Sequence, residues 1–148
     1  MTGTLIPGTL TTGPLATLGT PAFDRIGAVE PGVRAVAYLN VTATMPYFAT
    51  HFPRYPVLPG VLLVESAVAL ARLAAGSDTA RLRRAQRLRF RRFVVPGDQV
   101  ELTVSARGNE PELPEDTQWE MRARVDGEIV ASIGVLVLAS RLVRTPAP

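Results

Sequence analysis

One segment of the 148-residue sequence has the pattern of a long helix, and it is apolar on nearly every side. Residues 61–75 are rich in alanine and leucine, follow Pro59-Gly60 and are followed by Gly76, which are typical start and stop signals. The only charged residues of the segment are Glu65 and Arg72. Because a helix without a polar face is stable only when it is buried, we expect other structure to wrap around it.

The sequence on both sides of this helix favours strands. The predicted strands are residues 34–41, 82–95, 100–104, 119–125 and 129–138, where apolar residues alternate or cluster between turn signals. Asp126-Gly127 predicts a tight hairpin turn, and residues 107–117 predict an acidic loop that contains prolines. One strand, a helix and about four antiparallel strands make an α+β domain, in which a curled antiparallel sheet wraps around one central helix.

The N-terminal residues differ from the rest in composition. Residues 1–20 are rich in threonine, glycine and proline, which favours a flexible tail, so we place the folded domain at residues 21–148. The sequence contains no stretch with the length and apolarity of a membrane span, and its start lacks the basic residues of a signal peptide. We therefore expect a soluble cytoplasmic protein that does not bind a membrane.

Composition excludes several kinds of site. The sequence has no cysteine and one histidine, His51, so a thiolate metal site, a multi-histidine metal site and a cysteine nucleophile are excluded. All 16 basic residues are arginine, which excludes a Schiff-base lysine. We expect no metal.

Three residues between positions 51 and 65 combine into a possible acid–base site. His51 precedes a loop with three prolines, Gly60 opens the helix, and Glu65 lies inside its apolar run. Each has an ordinary explanation as well: a packed or surface histidine, a helix-start glycine, and an acid favoured by the helix dipole. As a site, they supply a base, an amide that stabilises an oxyanion, and an acid whose pKa burial would raise. Such a set suits proton removal beside a carbonyl followed by protonation of a leaving group.

The segment HFPRYPVLPGVLLVE, from His51 to Glu65, resembles the signature of the FabZ-type 3-hydroxyacyl-[acyl-carrier-protein] dehydratases, which have the hotdog fold. The segments FDRIGAVEPGVRAVAYLNVT, RFRRFVVPGDQVEL and VDGEIVASI also resemble this family, so that the resemblance extends from about Phe23 to Leu138. FabA-type relatives usually carry aspartate where this chain has Glu65, which favours the FabZ-like branch.

The resemblance implies a role for each residue of the site. His51 would remove the α-proton of a 3-hydroxyacyl thioester, Glu65 would help to expel the β-hydroxyl as water, and the amide of Gly60 would bind the thioester carbonyl. Members of the family are dimers in which the histidine of one subunit faces the acid of the other. The phosphopantetheine arm of an acyl carrier protein enters through a tunnel along the interface, and no other cofactor is implied.

Five positions depart from the family pattern: Thr50, Arg54, Tyr55, Ala69 and Phe93. Thr50 replaces a usual glycine, Ala69 replaces a glutamine, and Phe93 replaces a proline. We expect Tyr55 to narrow the tunnel. These departures leave the catalytic pair intact and favour a specialised dehydratase of a polyketide or similar pathway.

Seven arginines lie within residues 81–92. They are open to three interpretations: nucleic-acid binding, solvated strand faces whose arginine stems cover apolar surface, or docking of an acidic carrier protein through Arg89, Arg91 and Arg92. The lack of interleaved aromatic residues argues against nucleic acid.

Two alternatives to a homodimeric dehydratase also stay open. One is a hotdog acyl thioesterase, and the other is a non-catalytic or half-active subunit that pairs with a homologue.

Overall fold

The fold consists of six strands and one helix. The computed structural model describes residues 23–45 and 57–139. Within these ranges the elements are β1 Arg25–Glu30, β2 Arg34–Asn40, α1 Gly60–Ala75, β3 Arg81–Phe90, β4 Gln99–Asn109, β5 Thr117–Val125 and β6 Glu128–Ala139. The predicted tail, residues 1–20, lies outside the described residues, so the domain boundary at residue 21 stays a prediction. No helix in the described ranges is both long and apolar enough to cross a bilayer.

All six strands form one antiparallel sheet in the order β1-β2-β4-β5-β6-β3. Strands β4, β5 and β6 follow one another as a meander. By contrast, β3 comes directly after the helix in sequence but lies at the far edge of the sheet, beside β6. The two edges of the sheet are therefore β1 and β3.

The helix packs on one face of this sheet, over β2 and β4 in particular. Leu63, Ala67, Leu70 and Ala74 recur every three or four residues along the buried side of α1, as the period of an α-helix requires. The sheet contributes alternate residues of each strand, such as Ala35, Ala37 and Leu39 of β2. Each leucine that is fully buried in this way contributes about 1.5–3 kcal/mol to folding.

Backbone hydrogen bonds define the end of α1 and tie it to a neighbouring turn. Gly76 has a φ of 70°, its amide bonds the carbonyl of Leu73 at 3.2 Å, and the amide of Ser77 bonds the carbonyl of Arg72 at 3.1 Å. This left-handed ending is the one that Gly76 predicts. The carbonyl of Ala74 accepts a bond from Gly32 in the β1–β2 turn at 2.8 Å, which fixes this turn against the helix.

The α+β class, the helix and the Asp126-Gly127 turn are confirmed, whereas one strand was missed and the ends of two others differ from the prediction by about five residues. Strand β1 was not predicted from the residue pattern. It is mostly exposed and lies at the sheet edge, so its residues show no clear alternation. Strand β3 ends at Phe90. The chain then turns away from β6 after Arg92, and the carbonyl of Val94 accepts from Leu58, just before the helix, at 2.7 Å.

Strand β4 extends further than predicted. Residues 107–109, which we expected in a loop, continue the pairing with β5: Gly108 is opposite Gln118, and Asn109 is opposite Thr117. The register shifts between Ala106 and Gly108, and Gly108 takes up the irregularity with a φ of 118°. The acidic loop is therefore shorter than predicted, because one left-handed glycine keeps the hairpin paired.

Two arginines of β3 bind acids in the shortened loop between β4 and β5. Arg83 Nε lies 2.6 Å from Asp116 Oδ2, and Arg84 Nη2 lies 2.5 Å from Glu110 Oε1. Asp116 is only 2% exposed, so this pair is partly removed from water. A hydrogen bond from Gln118, together with Arg84, lowers the pKa of Glu110. These contacts span β6 and hold the loop to the start of the edge strand.

We predict that Asp116→Ala lowers the free energy of unfolding by about 1–3 kcal/mol, because the guanidinium of Arg83 loses a partner in a partly buried position. Urea denaturation measures this change. Glu112→Ala removes an exposed acid from the same loop and serves as the matched control, with an expected change under about 0.5 kcal/mol. Equal effects of the two variants would contradict a structural role for the pair.

Candidate active site

Gly60, the first residue of α1, lies directly under the ring of Phe90. A Cβ atom at position 60 would be 2.9 Å from Cζ of Phe90 and 3.0 Å from Cε1, which is closer than atoms pack. Any side chain at position 60 would therefore require the ring of Phe90 to move. The ring of Phe90 remains 52% exposed and forms an apolar wall beside Gly60.

Among the residues that the structure describes, none caps the amide end of α1 with a side chain. Pro59 precedes the helix and provides no side-chain cap, and the first turn contains no acid. Leu62 donates to the carbonyl of Pro59 at 3.0 Å, whereas no acceptor within the described ranges bonds the amide of Gly60. The positive end of the helix dipole and a free N–H donor thus coincide at this position. Such an arrangement can bind a carbonyl oxygen that is gaining negative charge.

Glu65 lies on the side of α1 that does not face the sheet. Val61, Glu65 and Ala69 follow one another at four-residue intervals, so they lie along one side of the helix. Val61 is 62% exposed, and the other two residues are partly exposed. Glu65 itself is half-buried, so the full enclosure that we expected is not seen within the described residues. At a rise of 1.5 Å per residue, it is about 7.5 Å further along the helix axis than Gly60.

His51 and Tyr55 lie outside the described residues, as do the departures Thr50 and Arg54. The structure therefore brings Gly60 and Glu65 onto one helix and leaves the position of the histidine open. The functional roles stay predictions. They are those of His51 as a base, of Tyr55 in narrowing a tunnel, of Gly60 in binding and of Glu65 in acid catalysis.

The arginines that we expected to dock a carrier protein lie beside the start of the helix. Arg89, Arg91 and Arg92 are exposed on either side of Phe90, whose ring contacts Gly60. Arg91 donates its amide to Val130 at 2.7 Å, so that the backbone is fixed where β3 ends. The only ion pair assigned to these three arginines within the described ranges is a long one, 4.0 Å from Arg92 Nη2 to Oδ2 of Asp98.

Two features of this region were not predicted from the sequence. The contact of Phe90 with Gly60 joins segments far apart in the chain, and the residue pattern carries no signal for it. Ser66, next to Glu65, is fully buried, and its Oγ has no hydrogen-bond partner within the described ranges. A serine inside an apolar helix was visible in the sequence and could have been singled out as a polar group that needs a partner.

A second concave surface lies on the opposite face of the sheet, away from the helix. Residues of β1, β2, β4 and β5 line this open groove, among them Tyr38, Glu101, Arg122 and Arg124. Because Ala37 and Leu39 of β2 face the core, their neighbour Tyr38 faces the other way. The groove is therefore separated from Gly60 and Glu65 by the sheet. Within the described ranges, no group of three or more potential metal-ligating side chains occurs.

Comparison with solved structures identifies the fold. The structure titled "The Dehydratase Heterocomplex ApeI:P from Xenorhabdus doucetiae" matches with a TM-score of 0.63 at 20% identity, over 80% of this chain and 97% of that chain. The PaaI protein of the E. coli phenylacetic acid degradation operon matches with a TM-score of 0.68 at 17% identity, over 91% of this chain and 90% of that chain. Together with the single sheet and central helix, these similarities confirm that the chain has the hotdog fold.

Comparison at the level of sequence identifies the family. A model of ApeI-like proteins, described as ApeI dehydratase, matches residues 29–132. The 3-hydroxyacyl-[acyl-carrier-protein] dehydratase FabZ of Anaeromyxobacter sp. (strain Fw109-5) is 39% identical over 127 residues, which cover 78% of this chain and 77% of the relative. FabZ of Pelotomaculum thermopropionicum is 49% identical over 87 residues, or 55% of this chain and 62% of the relative. The chain belongs to the hotdog-fold dehydratase family that includes the FabZ and ApeI-like proteins.

We predict that Gly60→Ala destabilises the protein by about 1–3 kcal/mol, because the new methyl group must displace the ring of Phe90. Phe90→Ala should remove most of this penalty, so that the two substitutions are strongly coupled in a double-mutant cycle measured by thermal or urea unfolding. Val61→Ala, on the same helical turn but 62% exposed, is the control and should cost little. Additive effects of Gly60→Ala and Phe90→Ala would show that the contact is not tight.

Proposed function

We propose that the protein is a cytoplasmic dehydratase that converts a carrier-bound 3-hydroxyacyl thioester into a 2-enoyl thioester. Its place in the family supports this activity, and so does the one observation that carries most weight: α1 has an uncapped amide end at Gly60 and a carboxylate at Glu65 on its accessible side. The axial separation of about 7.5 Å can be covered by two hydrogen bonds of about 2.9 Å and the three-carbon head of a 3-hydroxyacyl thioester.

The proposed reaction is an elimination of water. The amide of Gly60 binds the thioester carbonyl and stabilises the negative charge that develops there. The imidazole of His51 takes the α-proton, the electrons of that C–H bond form the new double bond, and the C–O bond at the β-carbon breaks. The carboxyl group of Glu65 gives its proton to the departing hydroxyl, which leaves as water. Acid–base chemistry accounts for every step, so the proposal needs no metal and no cofactor other than the carrier's phosphopantetheine arm.

The wall formed by Phe90 would favour this chemistry. It places an aromatic ring against Gly60, and it is contributed by the end of β3, so the site depends on strand and helix together. An apolar wall lowers the local dielectric constant and thereby strengthens the interaction of the Gly60 amide with an oxyanion.

The contact between Phe90 and Gly60 also supports docking of an acyl carrier protein beside the site. Arg89, Arg91 and Arg92 flank Phe90 and are exposed, so an acidic carrier bound there would place its phosphopantetheine arm close to Gly60. Complementary charge increases the rate of encounter more than it increases affinity. We assign these three arginines to carrier docking, and Tyr55 to the tunnel wall.

We also propose that two hotdog domains combine to complete each site. Strand β3 is an edge strand, and its outer side is unpaired within the described ranges. Pairing there with a second domain would join two sheets, and the histidine of one domain would face the acid of the other. Ala69 and Phe93, where the family usually has glutamine and proline, favour a specialised substrate from a polyketide or polyene pathway over housekeeping fatty-acid synthesis.

Removal of either catalytic group should abolish water loss. We expect His51→Ala and Glu65→Gln each to slow dehydration of a 3-hydroxyacyl carrier protein by about 10²–10⁴-fold, because one proton transfer loses its catalyst. Mass spectrometry follows the loss of one water from the carrier-bound chain. Glu112→Gln, an exposed acid far along the chain, should leave the rate unchanged.

The substrates are tested at several chain lengths with folded protein. Absence of water loss at every chain length would refute the dehydratase proposal. Release of free acid instead of enoyl product would identify the protein as a thioesterase.

Charge reversal at the docking surface should affect only substrates that are attached to the carrier protein. We predict that Arg91→Glu combined with Arg92→Glu raises KM for 3-hydroxyacyl carrier protein by about tenfold or more and spares the KM of a small pantetheine thioester. Steady-state kinetics on both substrates measure the difference. Arg122→Glu with Arg124→Glu makes the same charge change on the far face of the sheet and is the control. An equal loss on both substrates would rule out docking at Arg91 and Arg92.

A further inference from the structure

Arg87, near the end of β3, has a backbone conformation that strands avoid. Its φ is 58°, in the left-handed region, and among the described residues only Asp126, in the tight hairpin turn, shares this feature without being a glycine. An arginine is strained there, because its Cβ comes too close to the following carbonyl oxygen, and the surrounding structure must impose such a conformation. Within residues 23–45 and 57–139, no salt bridge holds the guanidinium of Arg87. The explanation therefore lies in the backbone of the sheet.

The side chains of β3 change faces at this residue. Ala85 lies opposite Leu136 of β6. Three positions further on, Leu88 lies opposite Ile133. Both residues of β6 belong to the core, so Ala85 and Leu88 both face the helix. Because side chains alternate along a strand, residues on one face are an even number of positions apart. One residue between Ala85 and Leu88 is therefore extra, and the left-handed Arg87 accounts for it.

Strand β6 has a matching irregularity. Opposite the stretch from Trp119 to Met121 of β5, β6 has one residue more than β5. The neighbouring pairs of β3 and β6 place Arg87 opposite Gly134 in this stretch, and the two strands keep one register up to Phe90. A Cβ atom on Gly134 would lie 2.9 Å from Cβ of Arg87, which is closer than Cβ atoms pack. The two residues thus form one bulge that both strands share.

This change of face determines where the ring of Phe90 lies. Regular alternation from Ala85 onward would turn Arg89 toward the helix and Phe90 away from it. With the bulge, Phe90 points toward the helix and its ring packs against Gly60. Arg89 stays on the outer face of the sheet, opposite a residue that does not belong to the core. The aromatic wall beside Gly60 therefore depends on one left-handed residue about 10 Å back along the strand.

We propose that Arg87 is a positioning residue of the active site, which acts through its left-handed backbone by turning the ring of Phe90 onto Gly60. The essential feature is the backbone conformation and not the guanidinium. Glycine adopts this conformation without strain and should replace Arg87, whereas a β-branched residue should not. This inference rests on the proposed function, in which Phe90 forms the wall beside the amide that binds the oxyanion.

The penalty of Gly60→Ala shows where the ring of Phe90 lies, without any measurement of activity. In the unmodified chain and in Arg87→Gly, adding Gly60→Ala should lower Tm by about 5 °C, because the new methyl group meets the ring. In Arg87→Val the ring is displaced, and adding Gly60→Ala should change Tm by less than about 1 °C. Gln86→Val, at the exposed neighbouring position, is the matched control and should keep the full penalty. An equal penalty in all four backgrounds would overturn the proposal.

Kinetics on a small 3-hydroxyacyl pantetheine thioester measure catalysis separately from carrier docking. We expect Arg87→Val to lower kcat by about tenfold and to change KM by less than about twofold, because the wall strengthens the interaction with the developing oxyanion more than with bound substrate. Arg87→Gly, which also lacks the guanidinium, should keep the kcat of the unmodified chain, as should Gln86→Val. An equal loss of kcat in Arg87→Gly and Arg87→Val would overturn the proposal, because it would assign the effect to the guanidinium.

Failure to fold and failure of the proposed function are both distinguishable from failure of this inference. If Arg87→Val does not melt cooperatively, Arg87→Ala replaces it with the same expected results, since alanine is also strained at a positive φ. If even the unmodified chain does not dehydrate any substrate, the proposed function fails, and the Tm pattern still decides whether Arg87 positions Phe90. If the chain is active but the penalty of Gly60→Ala does not depend on residue 87, the inference fails and the proposed function stands.

Discussion

The close packing of α1 against the sheet is the interaction on which the rest of the structure depends. Both surfaces are built from small residues at the contact, with Ala67, Ala71 and Ala74 on the helix and Ala35 and Ala37 on β2. Small side chains allow the helix axis to approach the strands closely, so that one short helix can fill the inside of a curled sheet. Because this side of the helix is fully occupied, the opposite side is left free for polar chemistry.

The elements that local chemistry determines were predictable. Gly76 ends the helix in a left-handed conformation, and Asp126-Gly127 forms the hairpin turn, with φ angles of 51° and 81°. The position of Glu65 on the accessible side of α1 was not predicted, since the apolar run of the helix suggested burial all round. The exposure of a side chain on a helix depends on which other elements pack against it, and this cannot be predicted from the sequence of the helix alone.

Contacts between segments that are far apart in the sequence could not be predicted from local sequence patterns. The acids of the β4–β5 loop and the arginines of β3 each appeared as a separate charged run, although Asp116 and Arg83 form one partly buried pair. In the same way, the sequence explained Gly60 as a helix-start residue or as an oxyanion-binding one, and only the structure shows the ring of Phe90 packed close to it. The resemblance to a known family named the residues of the site, whereas the structure adds the contact that one of them makes.

The C-terminal end of β3 connects the parts of the molecule that the proposed function needs. Phe90 contacts the start of the helix, the arginines around it are exposed, and the free edge of the strand lies on its other side. Substrate binding, carrier docking and subunit pairing would thus share one strand. A substitution there would be expected to change several properties together.

Arg87 and Gly134 give this strand a further property. Arg87 has a left-handed backbone with a φ of 58°, and a Cβ on Gly134 would lie 2.9 Å from its Cβ, so the two strands are distorted where they meet. A long, regular, uncharged edge is a template for indiscriminate β-pairing and fibril growth. The irregular backbone and the positive charge of β3 make it a poor template of that kind. We expect the edge to resist indiscriminate pairing for this reason.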